Sequence, residues 1–431
     1  MAIRSTMAVM AVAMAVAACH SADVIHRPSA DREGCAWAIP FSGDDFTFDG
    51  ALPDLYGAVY FSVALTPERP WVRLETNAVE SGADPVISVL DETGGLLLAQ
   101  VDDSFIVDSV HPGFHFHAPS PGTFCIKVES WEAWIGSSVQ PADPPLNVSF
   151  CGQVMPTAAS AFDGAEGPVA LVPVDAGNGS SFIRVNGTLA AGEPDRFTFD
   201  GVEQLVEVVA DMATGTGDAS RSASGSGTTA TVRVRIDSGG ATLSDLSFEN
   251  GNRRLLARLP GDGPHQLVVE EAPSHVVGTN DFYSLAVFLV DDPGLSEPVD
   301  DNDSPATAGL LPLREDDGYR TGTLLGELSP DGDVDVFRFE ADPGDTLELL
   351  CAAGAIGSSI DGFAVRLLNA AGDVAREDVE NERAVYWSLS ADATLSPVWF
   401  TDGGSWHLSL SGSPDDRATG RLYSCSVALY R

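Results

Sequence analysis

His111, His115 and His117 stand in the run HPGFHFH, closely preceded by Asp102, Asp103 and Asp108. Imidazoles and carboxylates are the side chains of metal sites and of general acid–base pairs. On an extended strand alternate residues point the same way, so His115 and His117 share a face and could ligate one metal. No clear third ligand accompanies them, and a solvated strand face explains the pattern as simply. Nucleophilic chemistry finds no motif. The chain has no Gly-x-Ser-x-Gly elbow, no Ser-x-x-Lys, no His-Glu-x-x-His and no glycine-rich phosphate loop ahead of a helix. Carboxylates are so abundant that a pair of them says nothing about a glycosidase. The expectation is a protein that is not an enzyme.

Denser oxygen sets lie further along. Asp300, Asp301, Asn302 and Asp303 are consecutive, and Asp331, Asp333 and Asp335 alternate. Hard cations such as Ca²⁺ take six to eight oxygens from carboxylates and carbonyls. Neither run is an EF-hand loop, since the sixth position from Asp331 is Val336 where glycine is needed. The competing reading is a solvated acidic linker. Trp131 and Trp134, in a turn region with polar neighbours, could stack on a sugar or a peptide, or plug an open end of a sandwich.

The elements that must carry these residues read as strands. Val334–Glu340 and Thr346–Leu350 alternate apolar and polar residues, with Asp342-Pro343-Gly344-Asp345 between them as a tight corner. Asp195-Arg196-Phe197-Thr198-Phe199-Asp200 is a reduced copy of this stretch, and Asp84–Asp91 parallels Asp361–Asn369. No long amphipathic helix with caps stands out. The spacing predicts an all-β chain of three tandem antiparallel β-sandwich domains over residues 35–152, 153–291 and 304–431, with an acidic linker at 292–303. Residues 214–230 are low in complexity and read as a mobile loop.

The stretch Gly332–Phe339 followed by Pro343-Gly344-Asp345-Thr346-Leu347 resembles the signature of the bacterial pre-peptidase C-terminal (PPC) domain. Asp301–Ala308 resembles that family's opening segment, and Asp361–Asp373 its later strand and turn. The resemblance covers about residues 300–431. It implies a jelly-roll β-sandwich of the kind appended to secreted peptidases, some of which bind calcium or matrix polymers. It allows a calcium role for Asp301, Asn302 and Asp303.

Composition bounds the partners. The 23 basic residues face 63 acidic ones, for a formal charge of −40. That argues against nucleic acid and favours cations or basic partners. Met7–Ala18 is apolar and short for a membrane span, and Val16-Ala17-Ala18-Cys19 resembles the bacterial lipobox. The expectation is a signal peptide over residues 1–18, a lipidated Cys19, a tether over 19–34 and attachment to the cell envelope, at the outer membrane or cell surface. The expected role is structural or adhesive, with a polysaccharide or a matrix protein as candidate partner. The alternative is a calcium-dependent substrate-binding or accessory protein of a secreted hydrolase.

Five cysteines remain for an oxidising compartment, so one must be odd. Cys351 and Cys425 are alone together in the third domain and should pair. In the first domain a hairpin reading pairs Cys125 with Cys151 and leaves Cys35 over, while Cys35 with Cys151 is nearly as good.

Overall fold

The computed structural model describes residues 34–431 apart from 53–56, 79–84, 102–112, 131–132, 135–146, 157–167, 178–179, 190–191, 211–225, 249–253, 276–277, 279, 292–301, 317–318, 329–331, 361, 381–383, 388–396 and 413–420. Its strands form three β-sandwiches in succession along the chain.

The first contains β1 (Ile39–Pro40), β2 (Asp45–Ala51), β3 (Ala58–Leu65), β4 (Trp71–Ala78), β5 (Pro85–Asp91), β6 (Leu97–Val101), β7 (Gly113–His117), β8 (Gly122–Ser130) and β9 (Asn147–Met155). The sheet β1-β3-β8-β5-β6 packs on β2-β9-β4-β7. The second has β10 (Val169–Ala170), β11 (Val174–Gly177), β12 (Ser180–Thr188), β13 (Asp195–Gly201), β14 (Gln204–Ala210), β15 (Val232–Ser238), β16 (Ala241–Ser247), β17 (Arg254–Arg258), β18 (Gly263–Glu271) and β19 (Phe282–Asp291). Its sheets run β10-β13-β18-β15-β16 and β11-β12-β19-β14-β17. The third has β20 (Gly309–Leu310), β21 (Arg314–Asp316), β22 (Tyr319–Glu327), β23 (Val334–Ala341), β24 (Thr346–Ala352), β25 (Ala364–Leu368), β26 (Val374–Val379), β27 (Val385–Trp387), β28 (Val398–Trp399), β29 (Gly404–Ser411) and β30 (Leu422–Tyr430). They form β20-β23-β29-β25-β26 and β21-β22-β30-β24-β27, with β28 beside β24.

The second and third sandwiches share one topology, and a short parallel strand opens all three. Ile39 pairs with Phe61, Val169 with Phe197 and Gly309 with Phe337. All other ladders are antiparallel. Each core is built from alternate residues: on β3, Val59, Phe61, Val63 and Leu65 are buried, while Ala58, Tyr60 and Ser62 face outward. Each such buried side chain contributes about 1.5–3 kcal/mol.

Gly344 has φ 92°, which only glycine adopts cheaply, so the Pro343-Gly344 corner forms as its residues dictate. The corner does not close a hairpin, however. β23 lies in one sheet and β24 in the other, so the chain crosses the core there. At the other end of β23 from this corner, Tyr423 Oη donates to Asp335 Oδ2 at 2.7 Å, and at the start of β13 in the second sandwich Tyr283 Oη donates to Asp195 Oδ2 at 2.5 Å. Each phenol lies across a glycine of the neighbouring strand. A Cβ at Gly326 or Gly187 would meet the hydroxyl at 2.1 or 2.4 Å.

The sandwiches also pack on one another. Where the first meets the second, Trp71 stands edge-on to Phe282 at 5.3 Å between ring centroids, and Arg184 Nη1 lies 3.0 Å from His115 Nδ1. His117 Nδ1 pairs with Asn280 Oδ1 at 3.2 Å. The face of β7 that reads as solvated is therefore covered: His115 is fully buried. Where the second meets the third, Leu205 and Leu256 pack with Ala352, Ile356 and Leu422, and Ser244 Oγ donates to the Gly357 carbonyl at 2.8 Å. Residues 211–225 of the stretch read as a mobile loop lie outside the described residues. Its last part, Ser226–Ala230, is ordered, with Ser226, Thr228 and Ala230 buried and Gly227 against the Leu98 carbonyl of the first sandwich.

Candidate functional site

The outer face of β1-β3-β8-β5-β6 holds a groove of about 550 Å³. Its floor is one row of cross-strand neighbours: Tyr60 opposite Lys127, Lys127 opposite Ser88, and Ser88 opposite Gln100. Register partners project from the same side of a sheet, so these four side chains line up across β3, β8, β5 and β6. Lys127, the chain's single lysine, holds Glu129 Oε2 at 2.6 Å, and Gln100 Nε2 donates to Ser88 Oγ at 2.8 Å. Ser88, Glu129 and Gln100 are buried. One wall is the turn at Gly34-Cys35 with the Thr93-Gly94-Gly95 loop; Ala133 and Trp134 also line the groove. It therefore presents an ion pair, an amide, hydroxyls and two aromatic rings.

The copies show what is distinctive. The corresponding row in the second sandwich is Arg196, Val268, Arg235 and Asp245, and in the third Val336, Ser409, Arg366 and Glu377. There Arg233 and Arg235 pair with Asp245, Asp237 and Glu270, and Arg366 with Glu377. Those faces are occupied by their own ion pairs. Only the first sandwich replaces the arginine–carboxylate neighbours with the neutral Ser88–Gln100 pair and sets Tyr60 in the same row. Of the two tryptophans read as either stacking on a ligand or plugging the sandwich, Trp134 lines this groove and Trp131 lies outside the described residues. Tyr60, Ser88, Gln100 and Lys127 carry no signal in the sequence, because their common row exists only once the strands pair.

A second, smaller cavity of about 270 Å³ sits at the joint of the first two sandwiches, lined by Trp71, His117 and four prolines, Pro67, Pro70, Pro119 and Pro121. His115 and His117 do not converge on a metal position. His115 faces Arg184 and Arg73; burial and then these two cations hold its pKa well below the usual histidine range. Burial lowers His117 as well. His111 lies outside the described residues.

Of the residues for which the resemblance allows a calcium role, Asp301 lies outside the described residues, Asn302 is buried against Asp335, and Asp303 is exposed. Asp335 is also buried, so the alternating Asp331-Asp333-Asp335 run does not present three carboxylates to water. Burial pushes the Asp335 pKa up to about 6, with the charges of Asp333 and Asp303 adding to the rise, against hydrogen bonds with Tyr423 and Asn302 that lower it. Among the described residues no three His, Cys, Asp or Glu side chains gather closely enough to hold a metal ion.

Cys351 and Cys425 are bonded, as cross-strand partners on β24 and β30. The pairing of Cys125 with Cys151 is corrected: Cys125 bonds Cys35 instead, and Cys151 is buried outside both disulfides. The hairpin reading fails because β8 and β9 are not neighbours. They lie in opposite sheets, Cys151 pointing between Thr47 and Glu75 in register, while Cys125 faces outward beneath the Cys35 turn. Cys19 lies outside the described residues. Among those described, no helix is long and apolar enough to cross a membrane.

No family model matches the chain, and no curated protein does. Among solved structures, it is similar to the M60 catalytic domain with the CBM51-1 and CBM51-2 domains of Clostridium perfringens ZmpB, at 8% identity and TM-score 0.17, covering 54% of this chain and 34% of that one. A putative secreted protein from Eubacterium rectale aligns at 10% identity and TM-score 0.19, over 57% of this chain and 74% of that one. The CUB1-EGF-CUB2 domain of human MASP-1/3 aligns at 10% identity and TM-score 0.16, over 57% and 99%. None of these assigns the chain to a family.

Proposed function

We propose that this chain is a non-catalytic, exported binding protein of the bacterial cell envelope, anchored by a lipid on Cys19, that holds a polysaccharide in the groove of its first sandwich. The row Tyr60–Lys127–Ser88–Gln100 carries the reading. Sugar rings offer apolar faces that stack on aromatic side chains and hydroxyls that both donate and accept. Tyr60 and Trp134 supply the rings, Lys127 and Gln100 the donors, and Glu129 and Ser88 the acceptors. Lys127 and Glu129 neutralise each other, so the groove suits a neutral ligand. Two disulfides support an oxidising, extracytoplasmic setting.

The test is affinity electrophoresis of the purified full chain through gels containing a panel of neutral polysaccharides. At least one should retard the wild type, and Tyr60→Ala, or Lys127→Met combined with Glu129→Gln so that no buried charge is left unpaired, should restore free migration without unfolding the protein. No retardation by any polysaccharide, or equal retardation of all three proteins, would remove the groove as a glycan site.

The calcium-dependent accessory reading rests on the approach of Asp303 and Asp333 to Asp335, which brings the two acidic runs of a PPC-like domain together. Like charges there repel, and a divalent cation bound by Asp301, Asn302 and Asp303 would relieve that repulsion. Millimolar Ca²⁺ should then raise the melting temperature more than Mg²⁺ or NaCl does, and Asp301→Ala with Asp303→Ala should abolish the difference. Equal shifts with all three salts would leave only a screened acidic surface.

A further inference from the structure

The cavity at the joint of the first two sandwiches takes its walls from both. The turns at Thr66–Trp71 and His117–Pro121 come from the first sandwich, and Gly187 and Thr188 from β12 of the second. Among the described residues no charged side chain lines it, although the protein carries a formal charge of −40. Four of its lining residues are prolines. Pro67, Pro119 and Pro121 are exposed and Pro70 is half-buried, so their rings are within reach from outside. Proline has no backbone N–H, so these walls present hydrocarbon and no main-chain donor. The space, about 270 Å³, suits one ring and not a chain of them.

Asn280 fixes the tautomer of His117. The amide nitrogen of Asn280 donates to the His117 carbonyl at 3.1 Å and to the Gly227 carbonyl at 3.4 Å, so the amide oxygen is what meets His117 Nδ1 at 3.2 Å. Nδ1 therefore carries the proton, and Nε2 is an acceptor with no partner among the described residues. Burial lowers the pKa of this histidine, which keeps the ring neutral at physiological pH. The ring is only half-buried and lines the cavity. Trp71 stands beside it at 4.7 Å between ring centroids, and its indole N–H is buried without a partner among the described residues. The exposed hydroxyls of Thr66, Ser120 and Thr188 complete the polar lining.

These walls select among ligands. A carboxylate or an ammonium would find no counter-charge. An aliphatic group would leave the imidazole acceptor unpaired. A sugar would bring a ring of hydroxyls against walls that are mostly carbon. Proline rings and aromatic faces pack together, as where proline-rich segments dock on aromatic-lined grooves. Here the prolines belong to the protein, so the aromatic ring must come with the ligand. A hydroxyl both donates and accepts, which matches a wall holding a lone acceptor beside an unpaired donor. We infer that this cavity binds a phenolic group, its ring against the prolines and its hydroxyl donating to His117 Nε2. Because the walls belong to two sandwiches, such a ligand also braces the joint. The site is separate from the groove of the first sandwich and does not depend on what that groove binds.

The experiment is a ligand-observed NMR titration of the full chain with N-acetyltyrosinamide, p-cresol, N-acetylphenylalaninamide and glucose. Both phenols should bind. N-acetyltyrosinamide should bind at least tenfold tighter than N-acetylphenylalaninamide, which differs from it by the hydroxyl alone. Glucose should not bind. His117→Phe keeps a ring and removes the acceptor, and Thr188→Trp fills the cavity from an exposed position. Each should weaken N-acetyltyrosinamide at least tenfold, with folding checked by melting temperature. Thr188→Trp decides the matter alone where loss of the Asn280 contact unfolds His117→Phe. Equal affinity of the two phenols supports a free phenol as the ligand, and a tighter N-acetyltyrosinamide supports a tyrosine of a polypeptide. Equal binding of the tyrosine and phenylalanine derivatives, binding that Thr188→Trp leaves unchanged, or binding of glucose but of neither phenol would overturn the site, as would no binding at all.

Discussion

The imidazole of His115 lies 3.0 Å from Nη1 of Arg184, although the two residues belong to different sandwiches. The guanidinium can only donate, so the imidazole must accept and must be neutral. Arg73, its cross-strand neighbour, adds a second cation from within the first sandwich. A proton on His115 would leave three positive groups facing one another in a buried joint.

This gives a pH dependence with a definite sign. The folded His115 binds its proton less readily than the unfolded chain does. Its contribution to stability is present above the ordinary histidine pKa, about 6.5, and is lost as pH falls below it, at up to about 1.4 kcal/mol per pH unit. Differential scanning calorimetry at pH 7.5 and pH 5 should show the joint of the first two sandwiches weakening in acid. His115→Gln keeps an acceptor for Arg184 and should lose most of that acid sensitivity.

Asp335 has the opposite sign. Its folded pKa of about 6 lies above the unfolded value, so the folded state prefers the protonated acid. The stability this confers is complete below about pH 4 and disappears as pH rises through 6, a swing of about 3 kcal/mol. Asp335→Asn should therefore melt higher than wild type at pH 7.5 and similarly at pH 4. Tyr423→Phe removes the donor and should cost about 1–3 kcal/mol at pH 7.5.

Peptide mapping without reduction should recover Cys35 linked to Cys125 and Cys351 linked to Cys425, with Cys151 alkylated only after unfolding. Replacing Cys351 and Cys425 together by alanine opens a closure spanning 74 residues and should cost about 4 kcal/mol. Recovery of a Cys125–Cys151 peptide would refute this arrangement of the first sandwich.

Lipid attachment is tested at one atom, the Cys19 sulfur. Growth with a fatty-acid analogue should label the wild type, and Cys19→Ser should be unlabelled and lost from the membrane fraction. Equal labelling of both would remove the anchor.

Period-two alternation in stretches such as Val59–Leu65 and Val334–Ala341 is enough to assign strands and to say which side of each is buried, since it follows from backbone geometry alone. The Pro343-Gly344 corner is equally local. The export reading rests on composition and on the run ending at Cys19. What alternation cannot specify is which strand lies beside which. The same corner would serve a hairpin or a crossing between sheets, and here it crosses. The hairpin assumption placed Cys125 next to Cys151, whereas core packing sends β8 and β9 to opposite sheets and leaves Cys125 under Cys35. Tyr60 and Gln100 are 40 positions apart, His117 and Thr188 71, and each set becomes a surface only through strands supplied from elsewhere in the chain. His115 similarly looks like a solvated strand residue until the second sandwich covers it. Side-chain direction is a local property of the backbone, while neighbour identity is set by which complete pairing of strands buries three cores at once.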